Sequence, residues 1–287
     1  MYKLRLLLLS FVCMMLVSGC GGRSAPEARS SEPSTAPLRA LTAGDPAAAT
    51  AAGEQLAGGP ESAGRSLKPE DNYVLQKKYP NVLALDGPPK DNRIAFTFDD
   101  GPDARFTPQV LDILKKHGVK ATFFVMGSRV AGHPDIAKRI HEEGHLLANH
   151  TYWHPKLFKE NIDRMKWEVK ETDKQIQAVV GYSPKLFRSP YGGLNDELVK
   201  TLGELHYSVI GWTVDSLDWT QADSESVKNN VRSRLHPGSI VLFHSGGDWT
   251  QDLSGGIQAL DELIPQLKEE GMQFVTVSRL LGIPDSK

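Results

Sequence analysis

An α/β barrel of about six or seven strand–helix units is the fold class predicted, on three observations. Short apolar runs rich in β-formers alternate with amphipathic segments from about Arg93 to Leu281, the pattern of a mainly parallel sheet with helices outside it. Several of the runs end in polar residues, namely Asp99-Asp100, His150, Arg188, Asp215 and His244, and barrel enzymes place their chemistry at the C-terminal ends of strands. No glycine-rich phosphate-binding turn follows the first strand, which argues against a doubly wound open sheet.

The chain starts with a different kind of segment. Lys3 and Arg5 precede the apolar run Leu6–Val17, and the small residues Ser18-Gly19 stand directly before Cys20. A positive start, a short apolar run and a small-residue cleavage site mark an export signal over 1–19 rather than a membrane span. Leu16-Val17-Ser18-Gly19-Cys20 resembles the bacterial lipobox, which implies cleavage before Cys20 and lipidation of its thiol. Acyl chains there would hold the mature chain on the outer face of a cell membrane. Residues 20–66 are rich in Ala, Gly, Ser, Pro and Thr and read as a disordered tether, because such a segment cannot bury enough surface to offset its ordering entropy. Its reach is on the order of 35–40 Å. The only cysteines are Cys13 and Cys20, so the body has no disulfide framework, thiolate metal site or thiol nucleophile. Charge is nearly balanced, with 33 basic against 35 acidic residues and a net −2. With no basic stripe, a nucleic-acid partner is not expected, and nothing points to a protein partner.

Residues 67–90 read as a lead-in, closed by Gly87-Pro88-Pro89, and residues 91–287 as the folded domain. Arg93–Phe98 is the first core strand. Thr107–His117 is predicted helical, with Val110, Leu111, Ile113 and Leu114 on one face and Gly118 as its stop. Ala121–Val125 is a strand, Ile136–Glu143 a helix ended by Gly144, and His145–Asn149 extended. Glu160–Val180 is a long amphipathic helix closed by Gly181. Lys185–Arg188 is extended, Asp196–Leu205 helical, and Ser208–Asp215 a strand. Ser224–Leu235 is helical, Ser239–His244 a strand, Gly256–Glu270 a helix, Gln273–Val275 a last strand and Val277–Leu281 a closing turn.

Two acids end the first strand. Adjacent strand residues point to opposite faces, so Asp99 and Asp100 are expected to divide their work, one holding a cation and the other free to move a proton. The competing reading is turn chemistry, for which Asp-Gly-Pro is well suited. His150 and His154 stand at i and i+4, which on a helical turn places both imidazoles on one face. Asp100 would complete a two-histidine, one-carboxylate set with open positions for water and substrate. His141-Glu142-Glu143-Gly144-His145 matches the zinc-protease pattern His-Glu-x-x-His. That pattern needs an unbroken helix, and Gly144 interrupts it, so His141 reads as a helix-surface residue.

Five stretches in order, Thr97–Pro102, His150–His154, Arg188–Gly192, Asp215–Trp219 and Leu242–His244, resemble the motifs of the polysaccharide deacetylase family, the NodB-homology group or carbohydrate esterase family four. The resemblance runs from about Arg93 to Leu281 and implies a distorted (β/α) barrel with about seven strands. It implies that Asp100, His150 and His154 hold one divalent cation, zinc first, with cobalt, nickel or manganese as alternatives. By the same resemblance Asp99 is the general base, Arg188 its partner, and His244 the acid that protonates the leaving amine. Asp215 is implied to contact His244. Tyr191 is implied to offer its backbone N–H to the oxyanion, and Trp219 and Leu242 to form the pocket for the acetyl methyl. The implied activity is removal of N-acetyl groups from an N-acetylglucosamine-containing cell-wall glycan, peptidoglycan first. An esterase or deacetylase for acetylated xylan or chitin oligomers, and a catalytically silent glycan-binding lipoprotein, are the other readings. An indole at Trp249, on the glycine-rich stretch after His244, is suited either to stack on a sugar or to pack inward.

Overall fold

The computed structural model describes residues 69–287. The export signal, Cys20 and the tether expected over 1–66 lie outside the described residues. Helix α1 (Pro69–Lys78) leads into β1 (Leu83–Ala84) and β2 (Arg93–Gly101). Next come α2 (Thr107–Lys116), β3 (Thr122–Val125), α3 (Gly127–Gly132), α4 (Pro134–Glu142), β4 (Leu146–Asn149), α5 (Ile162–Val180) and β5 (Leu186–Phe187). The chain continues through α6 (Asp196–Glu204), β6 (Ser208–Ile210), β7 (Val214–Asp215), α7 (Ser224–Arg232) and β8 (Ile240–His244), and closes with α8 (Ser254–Glu269), β9 (Gln273–Phe274) and α9 (Val277–Leu281). None of these helices is long and apolar enough to cross a membrane.

All the strand pairings are parallel. The strands run in the order β1-β6-β5-β4-β3-β2-β8-β7, with β9 against the start of β2. This is the distorted (β/α) barrel expected, with eight strands along the path rather than about seven. Alternation along β2 sorts its side chains between two environments. Ile94, Phe96 and Phe98 join Phe123, Val125, Leu147, Val241 and Phe243 in a core beneath the helices. Phe98 lies between the rings of Phe123 and Phe243, at 5.1 and 5.8 Å between centroids. Ala95 belongs instead to the barrel interior with Phe124, Ala148, Leu186, Ile210 and Ile240. Thr97 and Asp99 share the parity of Ala95 and are buried, so the interior is apolar below and polar at its C-terminal mouth.

Two readings of the chain need correction. Within the lead-in, β1 is a full member of the sheet, pairing Leu83 with Val209 and Ala84 with Ile210. The single strand expected over Ser208–Asp215 is two, β6 and β7, broken at Gly211-Trp212-Thr213. The break has a physical cause. A Cβ at Gly211 would come within 2.4 Å of Leu85, and the carbonyls of Ile210 and Gly211 both accept hydrogen bonds from the Arg188 guanidinium, at 3.1 and 3.0 Å.

The zinc-protease pattern is taken apart by Gly144, which adopts φ +79° between helix and strand. His141 is exposed on α4 while His145 is buried before β4. His145 Nδ1 accepts the Ala121 N–H at 3.2 Å, and burial, helped by the Lys120 charge, lowers its pKa to about 4. The unfolded chain protonates this ring near its ordinary value of 6.5, so between pH 6.5 and 4 the unfolded state binds more protons. Stability from a neutral His145 is therefore full above pH 6.5 and is lost as pH falls towards 4, by on the order of 3 kcal/mol. Denaturant midpoints at pH 7 and pH 4.5 are expected to fall less for His145→Gln than for the wild type. Equal falls would remove His145 from the acid response.

Candidate active site

The site is built at the end of β2. Register against β3 pairs Asp99 with Phe124 but Gly101 with Val125, so one extra residue, Asp100, is inserted. Asp100 takes φ +67°. A bulge of this kind re-aims side chains, and here it resolves the expected division of faces. Both carboxylates reach the same imidazole, with His150 Nε2 at 3.5 Å from Asp100 Oδ1 and 3.7 Å from Asp99 Oδ2.

His150 and His154 do converge, and a bend rather than a helical turn brings them together. They lie on a bend after β4 in which Thr151 and His154 both have positive φ, +67° and +61°. Side chains beneath hold that bend. Asn149 Oδ1 accepts the Thr151 N–H at 2.9 Å, and Thr151 Oγ1 accepts the His154 N–H at 3.0 Å. The Glu168 carboxylate, buried on α5, accepts the N–H groups of Tyr152 and Trp153 at 2.7 and 2.8 Å and pairs with Arg164 at 2.8 Å. Burial pushes the Glu168 carboxyl above its ordinary range despite these donors. His150 Nδ1 lies 2.9 Å from the Arg188 carbonyl, which makes it the protonated nitrogen and turns Nε2 towards the acids.

Asp100, His150 and His154 offer three ligand atoms within 4.8 Å of one another, with His154 Nε2 at 3.3 Å from Asp100 Oδ1. Burial alone would raise the Asp100 carboxyl, but the imidazoles of His154, His150 and His244 outweigh it and hold the group well below the usual carboxylate range. Asp100 Oδ1 is buried without a hydrogen-bond partner among the described residues. A buried carboxylate oxygen left in that condition, facing two imidazole nitrogens, fits a divalent transition-metal ion.

Asp99 is fixed differently. Its Oδ1 accepts from Arg188 Nη1 at 2.7 Å, and the same nitrogen donates to Thr97 Oγ1 at 2.8 Å. The guanidinium is 1% exposed and lies 4.0 Å from the Phe124 ring centroid. Asp99 Oδ2 is buried and accepts no hydrogen bond among the described residues. Across the sheet Asp99 is in register with His244 on β8, so the two side chains share one face on neighbouring strands.

A second acid of the same motif holds the histidine on β8. The carboxylate at His244 Nδ1 belongs to Asp218, at 2.8 Å, and its other oxygen accepts the His244 backbone N–H at 2.8 Å. Asp215, implied for that place by the resemblance, accepts the Leu217 N–H at 2.9 Å. Leu217 turns through φ +57° into a 3-10 turn over Asp218–Thr220, and that reversal brings Asp218, not Asp215, back over the end of β8. Both acids stood in the motif, so the signal was present but its geometry was not. Glu168 and Asn149 carried no such signal, since only tertiary packing places them under the histidine bend.

The remaining residues fall around this centre. Tyr191 sits in a 3-10 turn over Pro190–Gly192 with φ +60°, its ring 4.6 Å from that of His154. Gly192 has φ +63°, and a Cβ there would meet Trp212 at 2.7 Å. Leu242 is buried on β8 opposite Thr97, two residues below His244 on the same face. Trp219 follows Asp218, its carbonyl accepting from Gln251 Nε2 at 2.9 Å.

Residues 86–210 match the family model described as polysaccharide deacetylase. A peptidoglycan-N-acetylglucosamine deacetylase of Bacillus cereus is 43% identical over 198 residues, covering 68% of this chain and 70% of the relative. The peptidoglycan-N-acetylglucosamine deacetylase PgdA of Listeria monocytogenes is 36% identical over 233 residues, 79% of this chain, and the chain spans about half (48%) of that relative's length. Among solved structures, the Bc1960 peptidoglycan N-acetylglucosamine deacetylase superposes with a TM-score of 0.72 at 39% identity, covering 75% of this chain and 99% of that one. With fold, motif order and these likenesses in agreement, the chain belongs to the polysaccharide deacetylase family.

Proposed function

We propose that this protein is a metal-dependent hydrolase that removes acetyl groups from N-acetylglucosamine residues of peptidoglycan, leaving a free amine and releasing acetate. The observation that carries the reading is the convergence of Asp100, His150 and His154 beside a separately anchored Asp99. These three residues would hold one divalent cation, with zinc first by the family resemblance. When bound, the cation supplies Lewis acidity at the acetamide carbonyl and acidifies the attacking water.

The protein's own groups move the protons. Arg188 occupies Asp99 Oδ1 and orients the carboxylate, so Oδ2 is the oxygen that takes the proton from water. His244, tethered by Asp218 at Nδ1, presents Nε2 to the departing nitrogen and delivers the proton without which an amine cannot leave. Asp218 fixes that tautomer. The Tyr191 N–H serves the developing oxyanion, and the Tyr191 ring braces His154. Trp219 and Leu242 line the space for the methyl group. The choice of peptidoglycan is supported by what the B. cereus and L. monocytogenes relatives are named for. An extracytoplasmic location, with lipid on Cys20 as the membrane anchor, is supported by the N-terminal sequence pattern.

Purified chain supplied with zinc or cobalt is expected to release acetate from N-acetylglucosamine oligomers and from peptidoglycan. Asp99→Ala should keep its cation affinity while kcat falls by about 10²–10⁴; acetate release at the wild-type rate would overturn the base assignment. Asp218→Asn should lower kcat by about 10²-fold with little change in KM, since it disturbs the tautomer rather than binding. An undiminished kcat would return the part to another acid.

A further inference from the structure

The stretch after His244 is tied to the site before it leaves it. The Ser245 N–H donates to the Asp99 carbonyl at 2.9 Å. Gly246 packs so closely that a Cβ there would lie 2.3 Å from the Asp100 carbonyl oxygen. Beyond it, two arginines hold the loop by its backbone. Arg129 Nη2 donates to the Gly247 carbonyl at 2.7 Å, and Arg105 Nη2 donates to the carbonyls of Gly247 and Asp248 at 3.1 and 2.8 Å. Asp103 in turn accepts from Arg105 Nη2 at 2.9 Å and pairs with Arg129 at 3.4 Å. Asp248 Oδ1 accepts both the N–H and the hydroxyl of Thr250, at 2.8 and 2.6 Å, and Gln251 links the far end to the Trp219 carbonyl.

The residue displayed by this braced loop is Trp249, and it is 84% exposed. An indole left in water forgoes a large apolar burial. Looseness of the loop does not explain the exposure, because the backbone around it is held by charge-assisted hydrogen bonds. Two residues separate Trp249 from Gly246, so their Cα atoms, three peptide steps apart, are at most about 11 Å from each other. An aromatic face fixed in advance at that range offers contact area at low ordering cost.

We infer that Trp249 is a stacking platform for a sugar of the glycan chain next to the residue being deacetylated, so that the enzyme engages an oligosaccharide rather than one N-acetylglucosamine. The inference deepens the reading given above and rests on it for the identity of the ligand. The occupant is a pyranose: its C–H face matches the indole, and its hydroxyls stay in water beyond the ring edge. Arg105 and Arg129 act on this platform as positioning residues, holding the loop rather than touching sugar.

The test uses the full zinc-loaded chain with Trp249→Ala and Trp249→Phe on N-acetylglucosamine oligomers from dimer to hexamer, together with co-sedimentation on insoluble peptidoglycan. For the hexamer, KM should rise about tenfold in Trp249→Ala, the equivalent of about 1.4 kcal/mol, with kcat within about twofold of wild type. The penalty should shrink as the oligomer shortens, and Trp249→Phe should recover most of it. Co-sedimentation should weaken in parallel. Unchanged KM at every length with unchanged co-sedimentation would overturn the platform while leaving the deacetylase reading intact. A wild-type chain that releases no acetate would sink the deacetylase reading instead, and co-sedimentation would still decide the platform.

Discussion

The bulge at the end of β2 is the constraint on which the site depends. A regular strand would send Asp99 and Asp100 to opposite faces, one into the barrel mouth and the other under the helices. By inserting Asp100 at φ +67°, the chain brings two adjacent carboxylates to one imidazole while keeping their other partners separate. Asp99 is held from below by Arg188, and Asp100 faces the histidine pair. Adjacent residues thereby acquire different chemistry without a second strand having to supply either acid.

That arrangement is costly, and the surrounding structure offsets the cost. Asp100, Thr151, His154, Tyr191 and Leu217 all have positive φ without being glycine, each on the order of 1–3 kcal/mol of backbone strain. They cluster around the site, where local hydrogen bonds determine them. Thr151 is tied by Asn149, His154 by Thr151, and the whole bend by Glu168. Arg188 is equally committed. Losing Arg188 would leave the Asp99 carboxylate buried without its guanidinium partner, a penalty of about 3–5 kcal/mol. Such fixed dipoles and charges favour catalysis because they need no rearrangement when charge develops.

Much of this was legible in the chain. Periodicity located the helices over Thr107–Lys116, Ile162–Val180 and Ser254–Glu269 to within two residues at each end, because each buries one face. The β2, β3 and β8 strands read clearly because they are apolar on both faces. What failed was geometry set by distant contacts. The break between β6 and β7 depends on Leu85 and Arg188, far away in sequence. The i, i+4 spacing of the two histidines suited a helical turn, but they sit on a bend shaped by α5. Asp215 and Asp218 are the same residue type three positions apart, and only the left-handed turn at Leu217 tells which one returns to His244. Trp249 suits packing and exposure equally in the sequence, and its exposure depends on a loop held by Arg105 and Arg129 from far earlier in the chain.

The central claim is that Asp100 and the two imidazoles form one ligand set from which Asp99 is excluded. X-ray absorption at the zinc edge of the loaded protein tests it most directly. The spectrum should contain two imidazole nitrogens and carboxylate oxygen, remain unchanged in Asp99→Asn, and lose the carboxylate contribution in Asp100→Asn. A spectrum altered by Asp99→Asn and indifferent to Asp100→Asn, or one with fewer than two imidazoles, would contradict it.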